Sequence, residues 1–282
     1  MGFLRAHTRF LFVSALTIPL LTWIPSSASE IMPSPWTRVG PAPTGALVNA
    51  GCAVDPRDNQ VLLFASRGPD GTQTGEDETE GLWKTTDGGA TWQRVSAGVG
   101  SSINGGKGLR FDPLDPDRVF VGQENVTRWW ISEDVGESFA AGESTPHHII
   151  DFDFDPLDSD VIYCGTDHAV YKSLDAGITW TPLHDNGLPA FGPQSATAGA
   201  VVADPDHSGT VYAGFLYAIL ADVWGVYKTT DGGQTWVVKN AGLPEGGWPL
   251  QDRAIEDLAI ARSDTNILYA VLSFVPKIFK TT

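Results

Sequence analysis

A nine-residue pattern recurs four times in this 282-residue chain, and a chain that repeats itself at such intervals folds by stacking like units side by side. The copies are Lys84-Thr-Thr-Asp87-Gly-Gly89-Ala-Thr-Trp92, Ile131-Ser-Glu-Asp134-Val-Gly136-Glu-Ser-Phe139, Lys172-Ser-Leu-Asp175-Ala-Gly177-Ile-Thr-Trp180 and Lys228-Thr-Thr-Asp231-Gly-Gly233-Gln-Thr-Trp236. Their Asp residues stand 47, 41 and 56 positions apart, and a fifth copy opens at Lys280-Thr-Thr282. Ten Trp in one chain fit this picture, because a repeated slot is being filled by the same large side chain.

A second signal precedes each box. Asp55-Pro56, Asp112-Pro113, Asp155-Pro156 and Asp204-Pro205 each end an apolar run, and a further strand-like run follows at Val61 to Ala65, Val119 to Val121, Val161 to Tyr163 and Val211 to Ala213. The fifth unit keeps the rhythm with Leu258-Ala-Ile260 and Ile267-Leu-Tyr269, with Ser263-Asp264 in place of Asp-Pro. Each unit therefore reads strand, Asp-Pro turn, strand, variable loop, strand, box turn, strand. Four strands per 40 to 50 residues is the period of a propeller blade, and no segment sustains the 3.6-residue period of a helix.

The expected fold is all-β: a β-propeller of four-stranded antiparallel blades, about five of them present. Blades are expected at roughly 41–95, 105–143, 147–183, 197–239 and 254–282. The last unit breaks off inside its box, so the ring is expected to be incomplete and the chain to be the first part of a longer protein with six to eight blades. Trp36-Thr-Arg-Val39 resembles Trp92-Gln-Arg-Val95 and is expected to complete a final blade.

The box has a structural explanation. Its Asp accepts amide hydrogens across a tight turn, the Gly two residues later permits positive φ, and the Thr hydroxyl bonds back locally. The aromatic residue then packs between sheets. Asp87, Gly89, Trp92, Asp134, Gly136, Phe139, Asp175, Gly177, Trp180, Asp231, Gly233 and Trp236 are thus read as structural. Aligning the units places Cys164 in a strand slot held elsewhere by Val121 and Ala213, with Cys52 on a non-adjacent blade, so no disulfide is expected.

The first 28 residues read as an export signal. Arg5 and Arg9 precede an apolar run from Phe10 to Ile24, and Ser26 and Ala28 suit a cleavage site. That run is shorter than the roughly 20 residues of a membrane span. The propeller then occupies 29–282, secreted or periplasmic, with no membrane contact after cleavage. Removing 1–28 takes away two Arg and no acid, moving the formal charge from −16 to −18. Such acidity repels phosphate backbones, which excludes nucleic acid as a partner.

The pattern Ser/Thr-x-Asp-x-Gly-x-Thr-Trp resembles the Asp-box, or bacterial neuraminidase repeat, superfamily across residues 36 to 282. That superfamily includes sialidases, xyloglucan-hydrolysing enzymes, sortilin-type receptors and photosystem II assembly factors. A sialidase carries an arginine triad whose first member stands in Arg-Ile-Pro; here Arg38 precedes Val-Gly and Arg57 precedes Asp-Asn. The resemblance to xyloglucan-hydrolysing enzymes implies one catalytic Asp in an early blade and another in a second propeller. Their early Thr-Asp-x-Gly-Gly is replaced by Ala65-Ser-Arg-Gly-Pro-Asp70-Gly-Thr, which leaves Asp70 as the candidate.

The least repetitive segments are the loops after each second strand and the connections into each next blade, and these carry a protein's individuality. Ser66 to Glu80 holds Asp70 and four Glu or Asp at 76, 77, 78 and 80, and is read as a solvated acidic loop. Gly122 to Trp130 holds Glu124, Arg128 and Trp129, with one of the two adjacent Trp expected inside and the other outside. His147 and His148 lie near Asp151 in sequence, with Asp167-His168 in the following loop of the same unit. Their spacing matches no metal motif, so neither metal nor cofactor is expected. Trp248, Asp252, Arg253 and Glu256 line the entry to the fifth unit, Asp252 and Glu256 being candidate acid/base partners. Ligand contact is expected from Glu124, Arg128, Trp129, His147, His168, Trp248 and Arg253. Three readings follow: an exported propeller binding an extracellular glycan or protein, a glycoside hydrolase using a carboxylate pair, or an assembly factor for another exported protein.

Overall fold

The computed structural model describes residues 48–67, 81–95, 107–122, 128–144, 147–183, 186–188, 196–218, 225–244, 254–273 and 277–281. Residues 36–39, Asp70, Glu124, Trp248, Asp252 and Arg253 lie outside these. Among the described residues every regular element is a strand, and no helix is long and apolar enough to cross a membrane.

Five antiparallel sheets follow in chain order. Blade 1 is β1 (Val48–Asp55), β2 (Asp58–Arg67), β3 (Gly81–Thr85) and β4 (Gln93–Arg94). Blade 2 is β5 (Leu109–Phe111), β6 (Val119–Gly122), β7 (Arg128–Ser132) and β8 (Ala140–Ser144). Blade 3 is β9 (Ile149–Asp155), β10 (Asp158–Thr166), β11 (Val170–Ser173) and β12 (Thr181–Pro182). Blade 4 is β13 (Ala196–Ala203), β14 (Val211–Ala218), β15 (Gly225–Thr229) and β16 (Val237–Val238). Blade 5 has three strands, β17 (Ile255–Ile260), β18 (Leu268–Leu272) and β19 (Lys277–Lys280). The sheets are arranged as a five-bladed propeller, and no two of them join through a strand ladder. The first strand of every blade lines one central cavity of about 580 Å³, as Ala53, Arg110, Asp153, Val202 and Ala259 do.

Strand alternation explains how neighbouring blades share cores. Side chains of successive strand residues point to opposite faces, so β6 sends Val119 and Val121 toward blade 1 and Phe120 toward blade 3. One apolar cluster fills each gap between consecutive blades, from Leu63 and Leu109 in the first to Val226 and Leu268 in the last. Three of the box aromatics belong to these gaps. Phe139 packs between blades 1 and 2, Trp180 beside Trp129 between blades 2 and 3, and Trp236 between blades 3 and 4.

All four box turns repeat one hydrogen-bond set. In blade 3 the buried Ser173 hydroxyl donates to Asp175 Oδ1 at 2.8 Å and accepts the Asp175 and Gly177 amides at 3.2 and 2.7 Å. Asp175 in turn accepts the Thr179 amide and hydroxyl at 2.7 and 2.6 Å. Thr85, Ser132 and Thr229 play the same part in the other blades. The residue after each box Asp also donates its amide to the first hairpin of its own blade: Gly88 to Gln60, Val135 to Asp117, Ala176 to Asp160 and Gly232 to Gly209. That residue holds positive φ in every copy, even where it is Val135 (58°) or Ala176 (55°).

Both cysteines are free thiols, Cys164 buried in β10 and Cys52 exposed on β1 beside the cavity. Burial pushes the Cys164 thiol well above its ordinary value, which leaves it inert as a nucleophile.

Candidate ligand-binding face

Antiparallel order sorts the connections. The Asp-Pro turns and box turns share one end of each blade; the second-to-third-strand loops and the passages to the next blade share the other. At the turn end the carboxylates are consumed by the backbone. Asp112 accepts the Leu114 and Asp115 amides and the Ser159 hydroxyl, and Asp155 accepts the Leu157 and Gly209 amides and the Ser208 hydroxyl. Chemistry is therefore left to the loop end.

At the loop end, Lys107 enters just before β5 and crosses to other blades. Its ammonium donates to the Gly199 carbonyl at 2.9 Å and to the Glu256 carbonyl, and stands 3.6 Å from the Asp257 carboxylate. One side chain of blade 2 thus contacts blades 4 and 5 together. Glu256 is exposed beside this strut. Deeper in the cavity, Arg110 pairs with Asp151 at 3.0 Å, and its guanidinium lies 5.9 Å from the centre of the Phe152 ring. Asp151 and Asp153 each accept an amide of the neighbouring β13, from Val201 at 2.9 Å and Ala203 at 3.0 Å. Burial raises the Asp151 carboxyl above its ordinary value, against the pull of the Arg110 charge and the Val201 amide.

The second feature of this end is a knot of imidazoles. His147 and His148 lead into β9, while Asp167 and His168 leave β10. Asp167 Oδ1 lies 3.1 Å from His168 Nδ1 and 3.8 Å from His147 Nδ1, and its Oδ2 lies 3.4 Å from His148 Nδ1. The His147 and His168 rings stack at 3.9 Å with 19° between their planes. Reciprocal bonds between the Asp167 amide and the His148 carbonyl, and between the His148 amide and Asp167 Oδ1, both 3.2 Å, lock the two segments together. Thr166 caps the turn by accepting the His168 and Ala169 amides, and Thr197 of blade 4 donates to the Asp167 carbonyl. Burial, then the neighbouring His168 ring, holds the His147 imidazole below its ordinary 6.5, against the attraction of Asp167.

The residues expected at a ligand distribute unevenly. His147, His168 and Glu256 stand at the loop end. Arg128 lies in β7, its backbone paired with Ser144. Trp129 is placed differently from the expectation: it is fully buried, 5.0 Å from the Phe120 ring and 5.2 Å from Trp180, because strand alternation turns it into the gap between blades 2 and 3. Its neighbour Trp130 packs partly buried in the opposite gap, so both indoles serve the core. Sequence reasoning missed Lys107, Arg110 and Asp257. The available signal was a charge inside an apolar first strand, as in Leu109-Arg110-Phe111 and Ile150-Asp151-Phe152-Asp153-Phe154.

No family model matches the chain. It is 28% identical over 150 residues to the probable oligoxyloglucan-reducing end-specific xyloglucanase of Neosartorya fischeri, covering 48% of this chain and 18% of that protein. It is 27% identical over 205 residues to the xyloglucanase Xgh74A of Acetivibrio thermocellus, covering 71% of this chain and 18% of the other. The chain thus spans less than a fifth of the length of these curated relatives. Among solved structures, an ancestral GH74 enzyme aligns with a TM-score of 0.59 at 19% identity, over 87% of this chain and 31% of its own. At that identity the likeness is one of fold, and the fold held in common is the β-propeller.

Proposed function

We propose that this chain is an exported propeller of the Asp-box superfamily whose loop end binds a xyloglucan-type polysaccharide. The observation that carries the reading is the pair of sequence relatives from two organisms, both named xyloglucanases, one of them aligned over 71% of this chain. The fold supports it by leaving one end free of repeat duties. Export through residues 1–28 puts the mature protein where such polymers occur, secreted or periplasmic.

The test is native gel electrophoresis of the mature chain through gels with and without xyloglucan. Retardation by xyloglucan and not by an unrelated charged polymer supports the reading; unchanged mobility of a folded sample overturns it. A second reading, hydrolysis, is favoured by the names of the same relatives. It would draw on Asp70, Asp252 and Glu256, and its test is release of reducing ends. Release abolished by Asp70→Asn or Asp252→Asn makes the protein a hydrolase; binding without release keeps it a binding module.

A further inference from the structure

The imidazole knot of blade 3 goes beyond what polysaccharide binding asks of the chain. The donor atoms of His147, Asp167 and His168 all lie within 4.8 Å of one another. They come from two segments nineteen positions apart in sequence that only the β9–β10 hairpin brings together. We propose that His147, His168 and Asp167 form a binding site for one borderline-soft divalent cation of the zinc type.

Three features of the geometry carry this. The first is spacing. Zinc holds imidazole nitrogen at about 2.0–2.1 Å, so two ligand atoms on one tetrahedral ion stand roughly 3.4 Å apart. The two Nδ1-to-Oδ1 distances, 3.1 Å from His168 and 3.8 Å from His147, straddle that value, and one imidazole turns out of the His147–His168 stack so that both lone pairs point at one ion. The second is pre-organisation. The ligand backbones sit at strand ends and are fixed by the Thr166 cap and by the reciprocal His148–Asp167 bonds. His148 is then a positioning residue: its amide donates to one Asp167 oxygen while its ring lies against the other, the outer-shell support that aims a ligating carboxylate. The third is access, since the side chains of all four residues are roughly one-third to one-half exposed, so an ion reaches them without unfolding.

The donor set also selects the ion. Two imidazole nitrogens and one carboxylate oxygen suit zinc, copper or nickel, whereas calcium and magnesium require oxygen shells. Three protein ligands leave a fourth position open toward the loop end, the arrangement of an ion that takes water or an exogenous oxygen rather than a closed structural site. This inference does not depend on the polysaccharide reading, since zinc binding is read without any sugar present.

The experiment is equilibrium dialysis of the tag-free mature chain against zinc, with metal analysis of the protein compartment, and cobalt substitution to read the geometry. The expected result is one zinc per chain, cobalt bands of tetrahedral intensity and no displacement by excess calcium. The H147A/H168A pair should bind at least tenfold more weakly. H207A, which alters an exposed imidazole at the turn end, should bind as the native chain does. Near-UV circular dichroism without metal checks the fold of each variant, and H168Q serves as a second variant if the alanine pair fails to fold. Zinc well below one per chain, equal binding by the native chain and the ligand variants, or equal loss in H207A would each overturn the assignment.

Discussion

Blade 3 carries an aspartate surrounded by hydrogen-bond partners at each of its ends, and the two are chemically opposite. Asp175, in the box turn, takes its partners from within four residues: the Ser173 hydroxyl and the Thr179 amide and hydroxyl. These donors keep their hydrogens at any ordinary pH, so they hold the carboxyl below its ordinary value and leave it nothing to do. Asp167, at the loop end, faces three imidazoles, two of them from a segment nineteen positions earlier. Imidazoles give up protons near neutral pH and offer lone pairs instead. A carboxylate closed by local amides and hydroxyls is scaffold; one ringed by titratable nitrogens can change partners.

If the turn end is scaffold, damage there should be read as stability. The largest effect is expected from Gly177→Val. Gly177 has φ +83°, and a Cβ there would stand 1.4 Å from Trp129 Cζ2, so backbone strain and overpacking together should cost about 3 kcal/mol or more. Urea unfolding checks this; a midpoint within error of the native chain would break the claim that Trp129 is core. Ser173→Ala comes next. It strands the buried Gly177 amide, at an expected cost of about 1–3 kcal/mol by the same measurement. A smaller effect of opposite sign is expected from Ala176→Gly, which relieves a non-glycine residue at φ 55° and should stabilise by about 0.5–1 kcal/mol after the entropy of glycine is set against it.

Acid titration sharpens the same contrast. Asp87, Asp134 and Asp231 are held down at about 2, chiefly by the hydroxyls of Thr91, Ser138 and Thr235. A carboxyl depressed in the folded state stabilises it fully above the unfolded value of about 4, and that contribution is lost as pH falls toward 2. His147, lowered from 6.5, favours the folded chain above that pH and loses the contribution as pH falls through its own lower value. Near-UV circular dichroism should therefore hold to about pH 4 and fall below it. The smallest effect is reserved for the loop end: H147A/H168A should shift metal-free stability by about 0.5 kcal/mol or less, in line with partly exposed positions. A larger loss would make the imidazole knot a structural element like the box.

The blade plan was legible because each blade repeats the same local instructions. Asp-Pro and the box place turns at fixed offsets, and the turn bonds run within four residues, a range that sequence spacing reports directly. Trp129 was misplaced for an equally physical reason. Two adjacent aromatics on a strand must face opposite ways, but whether either face meets solvent depends on the neighbouring blade, here Phe152 and Trp180. Lys107 was missed because its partners, Gly199, Glu256 and Asp257, lie 92 or more residues away, and no local pattern records them.

By itself, then, the sequence determined the period and the strand order within each blade, because those depend on contacts within a few positions along the chain. Only the tertiary structure decided which side chains meet across blades and hairpins. Blade packing brings five first strands around one cavity and lets Lys107 bridge three blades, and the β9–β10 hairpin sets His147 against His168. Those meetings depend on how far each strand extends and twists before its blade packs on the next, which is a property of the assembled sheets and not of any short stretch of residues.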